Sequence, residues 1–295
     1  MDWDKLRVFH AVASAGSFTH AGNTLGLSQS AVSRQIGALE EELDVMLFQR
    51  HARGLHLTEQ GELLFRTTRN VFGMLDDARV ALMESKDKPR GELKVTASVG
   101  ITVKWLMPRL PEFYDEFPDI SVNVIVADHE LDLAGREADV AIRMRAPVQS
   151  DLIQRRLFNV RYGVFAAENY LEKKGEPKTL DELDCHRLIT YGELAAPEIR
   201  GVNWLIENAR RGHPRAPALA VNNIQAMAVA IDGGLGLGLL PKYYAADMPR
   251  LRQVLPEAPA PHFEAHLVYA ETLRNSKRVA VFRDFLYRHA KDWEW

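Results

Sequence analysis

The sequence predicts a multidomain chain: an all-α head that carries a small β wing and a long linker helix, followed by an α/β half. Three observations predict it. Residues 4–90 contain few Gly or Pro and repeat their apolar residues at helical spacing, whereas from Gly91 onward short β-type runs alternate with helical ones. The shift falls at Lys86-Asp87-Lys88-Pro89-Arg90-Gly91, where Pro blocks helix continuation and Gly frees the backbone. The length of 295 residues suits two domains at roughly 100–200 residues each.

In the head, Leu6, Phe9, Val12 and Ala13 give a first helix its apolar face, and Ala15-Gly16 ends it. A second helix runs from Thr19 to about Leu25. Gly26-Leu27 then turns the chain before Ser28, a good N-cap for a third helix that carries Ala31, Val32, Ile36, Leu39 and Leu43 inward. Helix, tight turn, helix is the arrangement in which the second helix of the pair can enter a DNA major groove. Gln29, Ser30, Ser33 and Arg34 lie on its early turns, where Gln suits adenine and Arg suits guanine. Val45–Phe48 and Leu55–Leu57 flank Gln49-Arg50-His51-Ala52-Arg53-Gly54, a hairpin wing whose Arg50 and Arg53 can track phosphates or a minor groove.

Charge must be read by segment. The whole chain is formally −3, with 46% hydrophobic and 26% charged residues, which is ordinary folded composition. Residues 1–60 hold five Lys/Arg against seven Asp/Glu, but Glu40, Glu41, Glu42 and Asp44 gather at the far end of the third helix, away from Arg34, Arg50 and Arg53. Thr58 can cap a further helix, on which Leu64, Thr68, Val71, Leu75, Ala78 and Leu82 recur at alternating spacings of four and three. So narrow a seam is best buried against a second helix of its kind, which predicts dimerisation.

The segments Ser17–Leu25, Leu27–Ile36, Leu39–Leu43, Leu47–Arg50 and Leu57–Gly61, in this order and spacing, resemble the LysR-type transcriptional regulators. The resemblance covers essentially the whole chain. It implies a winged helix-turn-helix, a linker-helix dimer assembled further into a dimer of dimers, and a two-lobed effector domain like the type 2 periplasmic binding proteins. It places the base-facing positions at Gln29, Ser30, Ser33 and Arg34, with Arg53 on the wing. Three departures stand out: Ser30 for a common Pro, Gly22 for a second Ala, and Asp44 for a common Gly; Asp tolerates a left-handed backbone better than most residues. The expected domains are 1–58 for DNA binding, 59–90 for the linker helix and hinge, and 91–295 for the effector, with lobe I at 91–162 and 268–295 and lobe II at 163–267.

In the effector half, Glu92–Ala97, Ser121–Val126 and Ala138–Arg143 read as strands, with a helix through Leu106, Leu110 and Phe113 and a short helical stretch near Leu131-Asp132-Leu133. The alternation indicates a parallel sheet. A second lobe is expected to begin near Tyr162-Gly163 and to return near Leu267–Tyr269, with a helix from Lys277 to Trp293 on the first lobe. Asn223 can cap a helix that faces the loop Ser98-Val99-Gly100-Ile101. Two helix N-termini then share a cleft, and their unpaired amides favour an anion such as a carboxylate. The effector contacts expected are Ser98, Gly100, Thr102, Arg143, Asn223 and Tyr269, with Arg143 as the countercharge.

The partners expected are therefore double-stranded DNA, a small-molecule effector and further copies of the chain, with RNA polymerase a further candidate. A rival reading is a solute-binding protein with an N-terminal extension. An enzyme lacks support: no nucleophile is paired with a base, and no metal-ligand spacing occurs. Gly233–Gly238 follows a helix and leads into a strand, the reverse of a dinucleotide fingerprint, so it reads as a helix stop and a packed strand. No cofactor is expected. The single cysteine, Cys185, excludes an intrachain disulfide and is expected to be packed. The acidic start and the lack of any run near the ~18 apolar residues of a membrane helix predict a cytoplasmic chain with no membrane partner.

Overall fold

A computed structural model of the chain describes residues 2–51, 54–83, 88–145, 149, 151–192, 201–207, 215–291 and 293. The chain divides into two compact units, Met1–Ser85 with Ala134–Arg136, and Lys86–Leu133 with Glu137–Trp295. No helix among the described residues is long and apolar enough to cross a membrane.

In the first unit, α1 (Trp3–Ala15) begins where the Asp2 carboxylate accepts the Asp4 N–H and ends at Gly16 in the left-handed region. α2 (Phe18–Leu25) begins where Ser17 Oγ accepts the His20 N–H and ends at Gly26, also left-handed. α3 (Gln29–Leu43) begins where Ser28 Oγ accepts the Ala31 N–H and ends at Asp44, with φ 54°. The stops at Gly16, Gly26 and Asp44 and the Ser28 cap are the ones read from the sequence; the Asp2 and Ser17 caps are not, and α2 starts one residue before the expected Thr19. β1 (Phe48–His51) and β2 (Gly54–Leu57) form the antiparallel wing, with Gln49 opposite His56; its tip, residues 52 and 53, lies outside the described residues. α4 (Glu59–Met83) begins where Thr58 Oγ1 accepts the Gly61 N–H at 2.9 Å while its hydroxyl donates to the Met46 carbonyl at 2.7 Å. Val8, Phe9 and Val12 of α1 meet Val32, Ile36 and Leu39 of α3 and Leu47 and Phe48 of the wing in one core.

The second unit begins with β3 (Gly91–Ala97), which feeds α5 (Val99–Ile101). A wider turn over Thr102–Leu106 and a tighter one over Met107–Arg109 continue the helical path into α6 (Leu110–Glu116). Pro108 and Pro111 bring no N–H to this stretch, so its pitch cannot stay regular. β4 (Ile120–Val126) and β5 (Val140–Arg143) flank β3 and run parallel to it. The chain then crosses on β6 (Leu152–Ala167) to α7 (Glu168–Lys174), β7 (Leu188–Thr190), α8 (Trp204–Glu207), β8 (Leu219–Ala220), α9 (Ile224–Asp232), β9 (Leu237–Pro241), α10 (Lys242–Ala245) and β10 (Leu251–Val254). It returns on β11 (His262–Ala270) and closes with α11 (Lys277–Ala290).

The strand order is β4-β3-β5-β11-β6-β9-β7-β8, with β10 also on β6. The expected parallel sheet is therefore mixed: β3, β4 and β5 are parallel, but β11 is antiparallel to both β5 and β6. The reason is connectivity, since one strand carries the chain out and the other brings it back, and antiparallel neighbours need no crossover helix. β6 pairs with β11 over residues 152–161, then with β9 over Tyr162–Ala166. α6 and α11 cover the first lobe, where Phe113 meets Phe282 and Phe285 edge-on at 5.1 and 5.2 Å.

Two further expectations change. The stretch at Leu131-Asp132-Leu133 is not helical; a turn follows over residues 133–136. Leu131 and Leu133 both pack against Ala138, Ala141 and Val268, a sharing that an irregular loop allows and that a helix, with i and i+2 on different faces, does not. Cys185 is exposed, because it closes a short tight helical turn whose buried residue is Leu183. Gly233–Gly238 does end a helix and open a strand: α9 stops at Asp232, Gly234 takes φ 79°, and β9 follows.

Gly22 shows why a smaller residue stands in α2. The Leu27 N–H donates to the Gly22 carbonyl at 2.9 Å, and a Cβ on Gly22 would lie 2.6 Å from the Leu27 carbonyl oxygen. The turn between α2 and α3 is closed too tightly for a methyl group. Gly22→Ala is expected to destabilise the head by about 1–3 kcal/mol through the forced shift of backbone, read as a lower midpoint in urea denaturation of the full chain.

Candidate functional site

The candidate functional residues fall mainly on two surfaces. On α3, Val32, Ile36 and Leu39 are buried in the head, which turns the opposite face outward. Gln29, Ser30 and Arg34 are exposed there and Ser33 is half-buried. Ser28 Oγ, the N-cap, also lies 3.1 Å from Ser30 Oγ, which ties Ser30 to the cap. Gln29 and Arg34 are engaged by no hydrogen bond or ion pair within the protein among the described residues. A Cβ on Gly37, one turn further along, would meet nothing within 4 Å, so the face is open. Of the wing residues, Arg50 lies on β1 and Arg53 lies outside the described residues.

One acidic residue of α3 belongs to this surface after all. Glu40 Oε1 accepts the Leu47 N–H at 2.7 Å and the Phe48 N–H at 3.1 Å, which clamps the start of the wing to α3. Glu42 pairs with Lys5 of α1 at 2.8 Å, and this hydrogen bond holds its carboxyl down at about 2. Two of the four acidic residues at the end of α3, Glu40 and Glu42, are thus committed internally, while Glu41 and Asp44 stay exposed there.

The second surface lies at the carboxyl ends of β3, β4 and β5, the place where open α/β sheets bind ligands. Ser98, Asp128, Glu130, Leu131, Arg143 and Arg145 are among the residues that line it. Ser98 sits at the N-cap of α5 yet makes no capping hydrogen bond. Asp128 caps the helix instead: its Oδ1 accepts the Val99 N–H at 3.2 Å, and its Oδ2 accepts the Tyr191 phenol, from the end of β7 in the second lobe, at 2.7 Å. The position expected to attract a ligand carboxylate therefore already holds one. Arg143 is buried, with its guanidinium donating to the Leu131 carbonyl at 2.7 Å and 3.3 Å from Glu130, which also pairs with Arg145 at 2.9 Å.

The remaining expected contacts divide. A Cβ on Gly100 would lie 2.7 Å from Tyr243 Oη, so glycine lets α10 approach α5 across the cleft. Asn223 caps α9 by accepting the Ala226 N–H at 3.0 Å. Thr102 is buried and its hydroxyl donates to the Ala97 carbonyl at 3.4 Å, a bond inside the helix start. Tyr269 is buried and hydrogen-bonds Arg283 of α11, which places it on the helix-covered side of the sheet and away from the cleft. The structure thus brings Ser98, Gly100 and Arg143 to the cleft, sets Asn223 at the edge of the facing helix, and removes Tyr269.

Four tyrosines close the second lobe's side: Tyr162, Tyr191, Tyr243 and Tyr244. Burial raises all of their pKa values, Tyr244 up to about 12, and the Asp128 charge adds to each. They stay protonated donors at neutral pH.

The match with known proteins settles the family. Residues 3–62 match the family model for bacterial regulatory helix-turn-helix proteins of the lysR family, and residues 86–291 match the LysR substrate binding domain. The chain belongs to the LysR family. An HTH-type transcriptional regulator of Xanthomonas campestris pv. campestris is 31% identical over 290 residues, 97% of this chain and 84% of that one. The structure of CrgA, a LysR-type transcriptional regulator from Neisseria meningitidis, overlays with a TM-score of 0.63 at 27% identity, covering 99% of this chain and 100% of that one. The full-length CbnR structure in complex with its target DNA shares the fold at 20% identity, with a TM-score of 0.69 over 98% of this chain and 100% of that one.

This LysR-family protein is a DNA-binding transcriptional regulator modulated by a small-molecule effector, not an enzyme, and the rival solute-binding reading falls with the match over residues 3–62. Sequence reasoning missed Asp128, Glu130, Tyr191 and Glu40. The first two stand directly after a parallel strand, in Ala127-Asp128-His129-Glu130, and that position alone is a signal for a cleft. Glu40→Ala is expected to leave two half-buried amides without an acceptor, costing the regulator's head about 2–4 kcal/mol and weakening DNA binding through a displaced wing. Glu40→Gln, which keeps an acceptor oxygen, is expected to lose less on both counts, as measured by chemical denaturation and gel shift.

Proposed function

We propose that this regulator grips double-stranded DNA as a dimer, and further as a dimer of dimers, with α3 of each head in a major groove. Gln29, Ser30, Ser33 and Arg34 meet base edges in this reading, while Arg50 and Arg53 of the wing meet phosphates or the adjoining minor groove. The observation that carries it is the exposed pair Gln29 and Arg34, spent on nothing within the protein, on a helix whose other face is core. Turning such side chains to a base breaks no hydrogen bond or ion pair among the described residues. The site of action is the bacterial cytoplasm, and RNA polymerase is the partner through which a bound regulator would act on transcription.

The head spans residues 1–58, the linker helix and hinge 59–90, and the effector domain 91–295 in this reading, with lobe II at 163–267. Ser98, Gly100 and Arg143 serve the effector from the first lobe, and Asn223 from the second. A ligand that binds one closure of the lobes better than another shifts the arrangement of the oligomer, and hence the bend of the DNA.

Dimerisation through α4 rests on what the helix leaves uncovered. Its seam is not used uniformly: Leu64 packs on the head core and Thr68 is buried, 3.4 Å from His10, so the first two positions are spent within the head. Phe72 likewise stacks near Trp3 and His10. Beyond them Val71, Met74 and Leu75 are exposed, the last two at 59% and 50%, together with Leu63. A contiguous apolar run of this kind is a contact surface.

Gln29→Ala and Arg34→Ala are each expected to cost about 1–3 kcal/mol of affinity for a specific genomic fragment with the helical circular dichroism unchanged. A gel shift titrated against salt reads this, and equal affinity of the double variant for its own upstream DNA and for random DNA as in the unchanged protein would refute base readout. Leu75→Glu, at an exposed position, is expected to leave each chain folded and to halve the sedimenting mass.

A further inference from the structure

We propose that the effector of this regulator presents a primary ammonium group to Asp128, and that Asp128 is the residue that excludes carboxylate effectors. This rests on the reading of the cleft as the effector site and names the chemistry that site selects.

Two carboxylates and two arginines line the cleft, but among the described residues only one of the carboxylates has a cation within ion-pair distance. Glu130 is matched by Arg143 and Arg145, at 3.3 and 2.9 Å. Asp128 has only neutral partners among the described residues, the Val99 N–H and the Tyr191 hydroxyl. The tyrosines around it supply no charge of either sign, since each is held in its protonated form by burial. The positive end of a short helix and two dipoles stabilise a carboxylate, yet an ion pair made out of bulk water stabilises it further.

A carboxylate ligand meets the opposite conditions. The Val99 amide at the α5 start is already taken, and the Arg143 guanidinium is held by Glu130 and the Leu131 carbonyl. A second anion beside Asp128 is repelled by its charge. An ammonium group in the same place gains by the same interaction.

Tyr244 is fully buried and its hydroxyl has no hydrogen-bond partner, although it lies within the field of Asp128. Tyr191 bridges the lobes to Asp128, so an ammonium that takes over the carboxylate replaces an interlobe hydrogen bond. The effector's charge is thereby coupled to lobe closure.

The test uses the full chain and three probes with one carbon frame: n-butylammonium, n-butyrate and n-butanol, at equal concentration and ionic strength. Binding is read by calorimetry and by the shift of the thermal midpoint. Butylammonium is expected to bind at least about tenfold more tightly than butyrate, the worth of one charge-assisted hydrogen bond. Asp128→Asn is expected to erase that preference. Tyr191→Phe, which frees a lone pair on Asp128, is expected to tighten butylammonium several-fold and keeps the test open should Asp128→Asn fail to fold. Butyrate binding as well as butylammonium, a preference that survives Asp128→Asn, or weaker amine binding in Tyr191→Phe overturns the proposal while leaving the cleft as an effector site. Failure of all three probes to bind overturns both.

Discussion

A helix begins with amide N–H groups that have no carbonyl to meet, and the way each start is satisfied governs both working surfaces of this regulator. In the head the acceptors are local. Asp2, Ser17, Ser28 and Thr58 each reach an amide two or three residues on, so the helix boundaries are fixed by neighbours in sequence. Ser28 thereby sets where α3 starts, and the start of α3 sets which side chains stand on its exposed early turns. In the effector half the acceptor for α5 is remote: Asp128 arrives from the end of the neighbouring parallel strand. The same physical demand gives a rigid reading head in one unit and a long-range, breakable contact in the other.

This difference also explains what could be read from the sequence. The Ser28 and Thr58 caps, the glycine stops and the Asp44 turn were legible because cause and effect lie within a few residues, and the wing followed from two short β-type runs on either side of a polar tip. Asp128 was not legible as a cap, because its partner amide is 29 residues away and its second partner, Tyr191, is 63 away. Tyr269 failed for a related reason. A strand sends alternate residues to opposite faces, and sequence alone does not say which face a helix will cover. α11 covers the face that Tyr269 occupies, and Arg283 claims its hydroxyl.

The seam on α4 shows a third limit. Its periodicity correctly marked an apolar helix face but treated the helix as one surface, whereas the structure divides it. The first turns are consumed by α1, where His10 lies 5.4 and 4.9 Å from Phe65 and Phe72. A repeat of fours and threes cannot tell a residue buried at home from one saved for a partner, because both demand the same spacing. The difference lies in tertiary packing: α1 lies along the early turns and leaves Met74 and Leu75 uncovered.

The lobes are joined by β6 and β11, whose paired backbones make a stiff connection, so any opening or closing of the cleft has to be absorbed where β6 exchanges β11 for β9 at Tyr162. Tyr162 stands at that exchange and in the field of Asp128. Across the cleft itself, one carboxylate at a helix start and one phenol at a strand end make a bond whose worth depends on what else occupies the carboxylate. A hydrogen bond inside a protein typically contributes about 1 kcal/mol net, roughly a factor of five in an equilibrium. That is too little to lock the lobes and enough to bias them. A switch needs an element whose two states differ by an amount a ligand can overcome, and a single exchangeable bond beside a backbone hinge meets that requirement without any rearrangement of the core.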